Sequence, residues 1–171
     1  MNLFLLALDM KQCAEEHADV HVVKMPLEAT QMLVTAWHCA RVPFVWTFPP
    51  YKPTHVNHPC AIWIRNDPAH FHWALQYGLA LCKEYTKRYG KIHACEFVLS
   101  SLSKMGPPPT NERQKVPRYG TAGIPSTVQT FPVCINEDVL AQCIVNDDHT
   151  VNVLETYKNY YKWKEASGMR M

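Results

Sequence analysis

Polar residues at helical spacing near the start of the chain carry the groups best suited to chemistry. They follow one another at steps of four or three residues: His17, His21, Lys24, Glu28, Gln31 and Thr35. In an α-helix this spacing places them on one narrow face, which we call the polar stripe. The other faces are apolar, the inverse of an ordinary surface helix. We therefore expect a mostly buried helix whose polar stripe lines a cleft.

Glu28 is the candidate acid or base of the polar stripe. A carboxylate flanked by Lys24 and imidazoles stays ionised and can stabilise developing positive charge. Partial burial would instead favour the protonated carboxyl group and suit it to proton transfer. The sequence leaves both roles open. Alternatively, the polar stripe is only the solvent-exposed edge of the helix, and its long side chains cover apolar neighbours.

The two histidines of the stripe raise metal binding as another alternative. His17 and His21 lie four residues apart, so one divalent ion can contact both. The intervening residues differ from the His-Glu-x-x-His motif of zinc proteases, and the sequence indicates no third ligand. The seven cysteines form no Cys-x-x-Cys pair and are expected to be free thiols. We therefore expect neither a metal nor a cofactor.

A second polar cluster follows a proline-rich stretch. His55, Asn57 and His58, with Arg65 beyond them, form a donor-rich turn that can hold a phosphate or a base edge. Alternatively, these groups only satisfy the backbone of their own loop. Arg88 lies near the end of a predicted helix, where it either binds substrate or favours the helix dipole. The candidate substrate-binding residues are His17, Gln31, His55, Asn57, His58, Arg65 and Arg88.

Periodicity predicts the elements that position these groups. Helices are expected at residues 9–39 (with a kink or a restart at Pro26), 67–89, 93–104 and 151–166. Asp67 before a proline is a favourable helix start, and Gly90 is a favourable stop. The fold class is therefore mainly α.

Composition indicates one compact helical domain over residues 1–171, with long Pro-rich irregular loops. The chain is 47% hydrophobic, which excludes wholesale disorder. Residues 105–132 contain six prolines and no sustained period, and are expected to be a lid or a solvated loop. Residues 1–8 are apolar but too short to cross a membrane, so we expect a buried N-terminal segment in an intracellular protein.

The sequence resembles the pyrimidine dimer DNA glycosylases of the endonuclease V type, in particular a phage and bacterial branch. Residues 18–22 read Ala-Asp-Val-His-Val, and Glu28 follows His21 by seven positions, as in that family. The resemblance extends through His58 and Trp63 to Gly90. The segments most similar to the branch are residues 17–25, 57–65, 84–93 and 155–164.

The resemblance implies a helical DNA-repair enzyme that cleaves the N-glycosidic bond of a damaged pyrimidine in duplex DNA. In this family an N-terminal α-amine attacks C1′ of the sugar and forms an imine, after which β-elimination nicks the strand. Glu28 would stabilise the sugar cation and assist proton transfer. His21 and Lys24 would position the sugar-phosphate, and His58 would lie close to the abasic position.

The family's nucleophile belongs to a small residue exposed when the initiator methionine is removed. Here the second residue is Asn2, whose size generally prevents that removal. Asn2 is also expected to correspond to a position that lies inside the first helical region in the family. The chain would then have no N-terminal extension that could reach the site. Met1 would then supply the amine, Lys24 would replace it, or no imine would form.

The net charge leaves the substrate open. Seventeen Lys and Arg residues against fifteen Asp and Glu give +2, which is compatible with nucleic acid without requiring it. The leading interpretation is a DNA glycosylase-like enzyme with AP-lyase activity, located in the host cytoplasm if the gene belongs to a phage. The alternatives are an enzyme acting on free nucleotides or nucleotide-derived small molecules, and a nucleotide-binding protein with a degenerate site. The sequence does not predict an oligomeric state.

Overall fold

The computed structural model describes residues 1–40, 42, 51–109, 114–116, 118–140 and 151–169. Within these ranges the chain forms the helices α1 (Met10–Glu15), α2 (Asp19–Cys39), α3 (Pro59–Asn66), α4 (Pro68–Tyr89), α5 (Glu96–Met105), α6 (Glu137–Leu140) and α7 (Val153–Ala166). Two short strands, β1 (Tyr119–Gly120) and β2 (Phe131–Pro132), pair antiparallel. The mainly helical fold expected from the sequence is confirmed. No helix in these ranges is long and apolar enough to cross a membrane.

The N-terminal segment runs as extended chain through the core. Residues 3–7 are at most 5% exposed, and the N–H of Phe4 donates to the Tyr77 hydroxyl on α4. The expected burial of residues 1–8 is confirmed for residues 3–7, whereas Leu8 is 54% exposed. Asp9 then caps α1 by accepting a hydrogen bond from the N–H of Gln12.

Helix α2 continues through Pro26 rather than restarting there. The break in the predicted helix falls earlier, between Glu15 at the end of α1 and Asp19 at the start of α2. Proline removes one backbone hydrogen bond from a helix. Pro26 is buried, however, and α2 packs extensively against α4 and α3. Burial of its apolar faces outweighs the single missing bond.

Helices α3 and α4 follow each other directly around Asp67. This residue ends α3 and caps α4, where its side chain accepts from the N–H of Ala69. Pro68 occupies the first turn, and Gly90 ends α4 in the left-handed conformation with φ 65°. The predicted start and stop of this helix are confirmed. The apolar residues 60–64 before it lie in α3, which is not among the helices predicted from the sequence.

The described part of residues 105–132 is anchored to the core. Phe131 in β2 is fully buried and packs against the rings of Trp63 and Trp73, at centroid distances of 5.0 and 4.8 Å. The Trp63 Nε1–H donates to the carbonyl of Thr130 at 2.8 Å. A freely solvated loop is therefore wrong for this part; residues 110–113 and 117 lie outside the described ranges.

Candidate active site

The polar stripe meets the start of the chain at Glu28. The backbone N–H of Asn2 donates to Oε2 of Glu28 at 2.8 Å, and the α-amine of Met1 lies 3.7 Å from the same oxygen. The second oxygen, Oε1, pairs with Nζ of Lys24 at 3.2 Å. The Glu28 side chain is only 10% exposed. One carboxylate therefore holds two amines and a backbone N–H.

The expectation that the N-terminus cannot reach this site is wrong. It placed Asn2 inside the first helical region, whereas the first helix begins only at Met10. The extended segment before that helix is drawn into the core by its apolar side chains. It thereby brings the α-amine of Met1 beside Glu28.

His21 contributes a neutral imidazole to the same region. Its ring stacks on Phe4 with the centroids 4.7 Å apart, and its Nδ1 shares a 2.5 Å hydrogen bond with the Tyr161 hydroxyl. Burial lowers the pKa of His21 to about 4, although the nearby charge of Glu28 acts in the opposite direction. Near neutral pH this side chain is therefore a hydrogen-bonding group and not a cation.

These groups line one pocket of about 550 Å³, which we call the amine pocket. It lies between α2, the N-terminal segment and the end of α7, and it is lined by Met1, Asn2, Phe4, Val20, His21, Lys24, Met25, Glu28, Tyr160, Lys164, Ser167, Gly168 and Met169. The volume is in the range of small-ligand sites. None of the described residues of the 105–132 segment lines it, so nothing here supports a lid over this pocket.

Two lining residues from α7 were missed by the sequence analysis. The Tyr160 ring lies parallel to Phe4, at a centroid distance of 5.7 Å and an interplanar angle of 14°. Nζ of Lys164 lies 5.7 Å from the centre of the Tyr160 ring. Their spacing of four residues, an aromatic followed by a cation on one helix face, was the available signal.

His58 lies in the electrostatic neighbourhood of the amine pocket. It caps α3, where its Nδ1 accepts from the N–H of Cys60 at 3.2 Å. Burial lowers the pKa of His58, and the positive charge of the Met1 α-amine lowers it further, while the charge of Glu28 acts the other way. The fold thus places Met1, His21, Lys24, Glu28 and His58 in one region.

A comparison with known protein families identifies the family of this chain. A family model for pyrimidine dimer DNA glycosylases matches residues 1–97, more than half of the chain. The chain belongs to this family. At family level its function is of the pyrimidine dimer DNA glycosylase type, in DNA repair, with DNA as the implied substrate. No curated protein and no solved structure matches.

The matched segment of this glycosylase-family chain contains the N-terminal side of the pocket. Met1, His21, Lys24 and Glu28 all fall within residues 1–97. The α7 side, with Tyr160 and Lys164, lies beyond the match. The family match therefore covers Glu28 and the amines of Met1 and Lys24, whereas Tyr160 and Lys164 belong to the rest of this chain.

His17 lies in the core of this glycosylase-family chain. Its Nδ1 bonds to the carbonyl of Cys13 at 2.6 Å, and its Nε2 bonds to the Tyr77 hydroxyl at 2.7 Å. Burial lowers the pKa of His17 to about 3, so the ring is neutral, with Nδ1 donating and Nε2 accepting. Both ring nitrogens are occupied by protein groups. This leaves neither a contact with substrate nor a metal shared with His21.

Arg88 joins the end of α4 to the α1–α2 connection. Its guanidinium donates to the carboxylates of Glu84 at 2.7 Å and Asp19 at 2.9 Å. It also donates to the backbone carbonyls of His17 and Glu15, each at 2.8 Å. These contacts give Arg88 a structural role, in line with the alternative left open by the sequence.

The second polar cluster lies at a different pocket. Asn57 and Arg65 line a cavity of about 310 Å³ together with residues from the end of α2. Arg65 donates to the carbonyl of Val56 at 2.6 Å and to the Gln114 side chain. His55 is exposed and bonds to the Thr54 hydroxyl at 2.7 Å. Within the second cluster, His58 lies near the amine pocket. Asn57 and Arg65 lie at the other cavity.

The far half of the polar stripe is covered by the loop before α3. Thr35 is fully buried, and its hydroxyl oxygen accepts from the N–H of Thr54 at 3.1 Å. Gln31 is half-buried between this contact and Glu28, and it does not line the amine pocket. The cleft expected along the whole stripe is therefore confined to His21, Lys24 and Glu28.

Proposed function

We propose that the protein cleaves the N-glycosidic bond of a damaged or modified pyrimidine nucleotide in DNA and then nicks the strand at the resulting abasic site. The observation that carries this proposal is the 3.7 Å separation of the Met1 α-amine and Oε2 of Glu28 inside a ligand-sized pocket. An amine that attacks carbon must first lose a proton. The Glu28 carboxylate is the group placed to accept it.

In the first step the amine nitrogen forms a bond to C1′ of the sugar. The bond between C1′ and the base breaks, and the base departs with the electron pair. Positive charge develops on the sugar as this bond lengthens, and the buried carboxylate of Glu28 stabilises it. Opening of the sugar ring then gives an imine between the amine and C1′.

Once the imine has formed, the DNA strand can be cleaved. A proton leaves C2′, and the phosphate on the 3′ side departs by β-elimination. Water then hydrolyses the imine and regenerates the free amine. Glu28, whose Oε2 lies 3.7 Å from the α-amine of Met1, serves as proton acceptor in this phase as well.

The remaining pocket residues receive binding roles in this proposal. Tyr160, which stacks on the buried Phe4, offers an aromatic ring against which an extruded nucleotide can stack. Lys24, which is 68% exposed, and Lys164 supply positive charge for the phosphates. A damaged base stacks weakly in the duplex, so its extrusion costs less than that of a normal base.

Two other amines compete with the Met1 α-amine for the nucleophilic role. Nζ of Lys24 lies 3.2 Å from Glu28. Removal of Met1 would turn the Asn2 nitrogen, 2.8 Å from Glu28, into the terminal amine. We favour the N-terminal amine over Lys24 because the Lys24 side chain is largely exposed, whereas the N-terminal segment is held in the core.

Incubation with ultraviolet-irradiated duplex DNA, with and without borohydride, tests the proposed activity. We expect nicking of irradiated duplex only, and a borohydride-trapped protein–DNA adduct. Glu28→Gln should abolish both, whereas Glu165→Gln, an exposed carboxylate on α7, should retain them. Turnover of free nucleotides with no action on DNA would instead establish the small-molecule alternative. Nucleotide binding without any turnover would establish a degenerate site.

A further inference from the structure

A second cluster of reactive side chains lies behind the N-terminal segment. His58 and Cys60 come from the first turn of α3, and Cys134 follows β2. One potential ligand atom from each residue lies within 4.8 Å of the other two. The mechanism proposed above uses neither thiol. The sequence analysis missed this group because Cys134 is 74 residues from Cys60 along the chain.

The separation of the two sulfur atoms fits a shared metal. The Sγ atoms of Cys60 and Cys134 are 3.6 Å apart. Two Zn–S bonds of about 2.3 Å at a tetrahedral angle place their sulfurs about 3.8 Å apart. A disulfide needs about 2.05 Å, so it requires the thiols to move together. The observed pair therefore matches the metal geometry without rearrangement.

We propose that His58, Cys60 and Cys134 bind a zinc-type divalent cation. A donor set of two thiolates and one imidazole favours zinc over magnesium or calcium. Three protein ligands leave the fourth tetrahedral position to water. On binding, both thiols release their protons, and one ring nitrogen of the neutral His58 imidazole donates its lone pair to the metal.

The surroundings hold the ligands in place. The N–H of Cys134 donates to the hydroxyl of the fully buried Tyr157 at 3.2 Å, and the carbonyl of Cys134 accepts from the Asn2 amide at 2.8 Å. These two hydrogen bonds fix the backbone of Cys134 before a cation binds.

The cluster also connects two parts of the chain. His58 and Cys60 lie within the family match at residues 1–97, and Cys134 lies beyond it. A bound cation would tie the first turn of α3 to the segment after β2. Through the contact of Asn2 with Cys134, it would also support the N-terminal segment, which carries the terminal amine.

Cobalt titration of the reduced, metal-free protein tests the site without DNA. In a thiol-free reductant, we expect one Co²⁺ per chain, with thiolate-to-cobalt charge-transfer absorption and the d–d bands of a tetrahedral complex. Added Zn²⁺ should displace the cobalt. Cys60→Ser and Cys134→Ser should each remove the charge-transfer absorption or weaken binding at least tenfold, His58→Asn should weaken binding, and Cys39→Ser should change nothing.

A second measurement uses the unmutated protein and therefore does not require any variant to fold. Zn²⁺ should slow the alkylation of Cys134 in the unmutated protein, as read by peptide mass spectrometry. The proposal is overturned if the reduced protein gives no thiolate–cobalt absorption, or if Zn²⁺ leaves the alkylation of Cys134 unchanged. Because no DNA is present, either result is separate from the outcome of the glycosylase assays.

Discussion

The backbone N–H of Asn2 donates a hydrogen bond to Oε2 of Glu28 at 2.8 Å. This bond fixes the terminal amine, one residue earlier, by backbone geometry rather than by a flexible side chain. A nucleophile held in this way loses little conformational freedom when substrate binds. The same carboxylate oxygen faces both nitrogen atoms. Glu28 therefore serves both the chemistry and the position of the amine.

Glu28→Gln is expected to lower strand nicking about 10²- to 10⁴-fold. The amide oxygen can still accept the Asn2 N–H, so the N-terminal segment should stay in place. What is lost is the negative charge that stabilises the sugar cation and accepts a proton. Single-turnover nicking of irradiated duplex measures the effect. Retention of more than a tenth of the rate would contradict the assigned role, with Glu165→Gln as the control.

Lys164→Met is expected to weaken DNA binding and to reduce its dependence on salt. If Lys164 neutralises one phosphate, the slope of log K against log salt should fall by about 1. Affinity measured by fluorescence anisotropy over a range of salt concentrations gives this slope. Lys162→Met, an exposed lysine two positions earlier on α7, should leave it unchanged. Equal effects of the two substitutions would refute a specific contact at Lys164.

His17 and His21 are expected to remain neutral at pH values where free histidine is charged. Their native pKa values, about 3 and about 4, lie below the ordinary value of 6.5. Below pH 6.5 the unfolded chain therefore binds protons that the native protein does not, and stability falls. For the buried His17 the loss is about 1.4 kcal/mol per pH unit, from about 6.5 down to its native pKa. The Cε1–H resonances in NMR spectra follow both rings, and titration of His17 near pH 6 would contradict its burial.

Arg88→Ala is expected to lower the free energy of unfolding by about 2–3 kcal/mol. Glu84, whose side chain is 8% exposed, would lose its closest cation and keep only Lys87 at 3.4 Å. Solvent screening at the 20% exposed Arg88 limits the effect. Urea denaturation measures it, and the exposed Lys91→Ala is the control. If Arg88→Ala left the free energy of unfolding unchanged and raised the KM for DNA, Arg88 would instead be a residue that contacts the substrate.

Local sequence signals were sufficient for much of the scaffold. Asp67 with the following proline and Gly90 mark the ends of α4, because capping and left-handed backbone depend on single residue types. The spacing of Glu28 from His21 identified the carboxylate at the pocket. Pro26 gave a misleading signal, since the packing of α2 outweighs one lost hydrogen bond.

Long-range placement explains what the sequence could not reveal. Tyr160 and Lys164 reach the pocket only because α7 packs against the N-terminal segment. His17 belongs to the polar stripe by spacing, yet the end of α1 folds over it and directs its ring to Tyr77. Such contacts join residues distant along the chain, and no local period encodes them.

The identity of the trapped amine tests the central claim most directly. After borohydride reduction with irradiated duplex, peptide mass spectrometry should place the DNA adduct on the N-terminal α-amine, and the peptide mass should show whether Met1 is retained. Protein with a short extension before Met1 should trap no DNA, whereas Lys24→Arg should still trap it. An adduct on Lys24, or undiminished trapping by the extended protein, would contradict an N-terminal nucleophile beside Glu28.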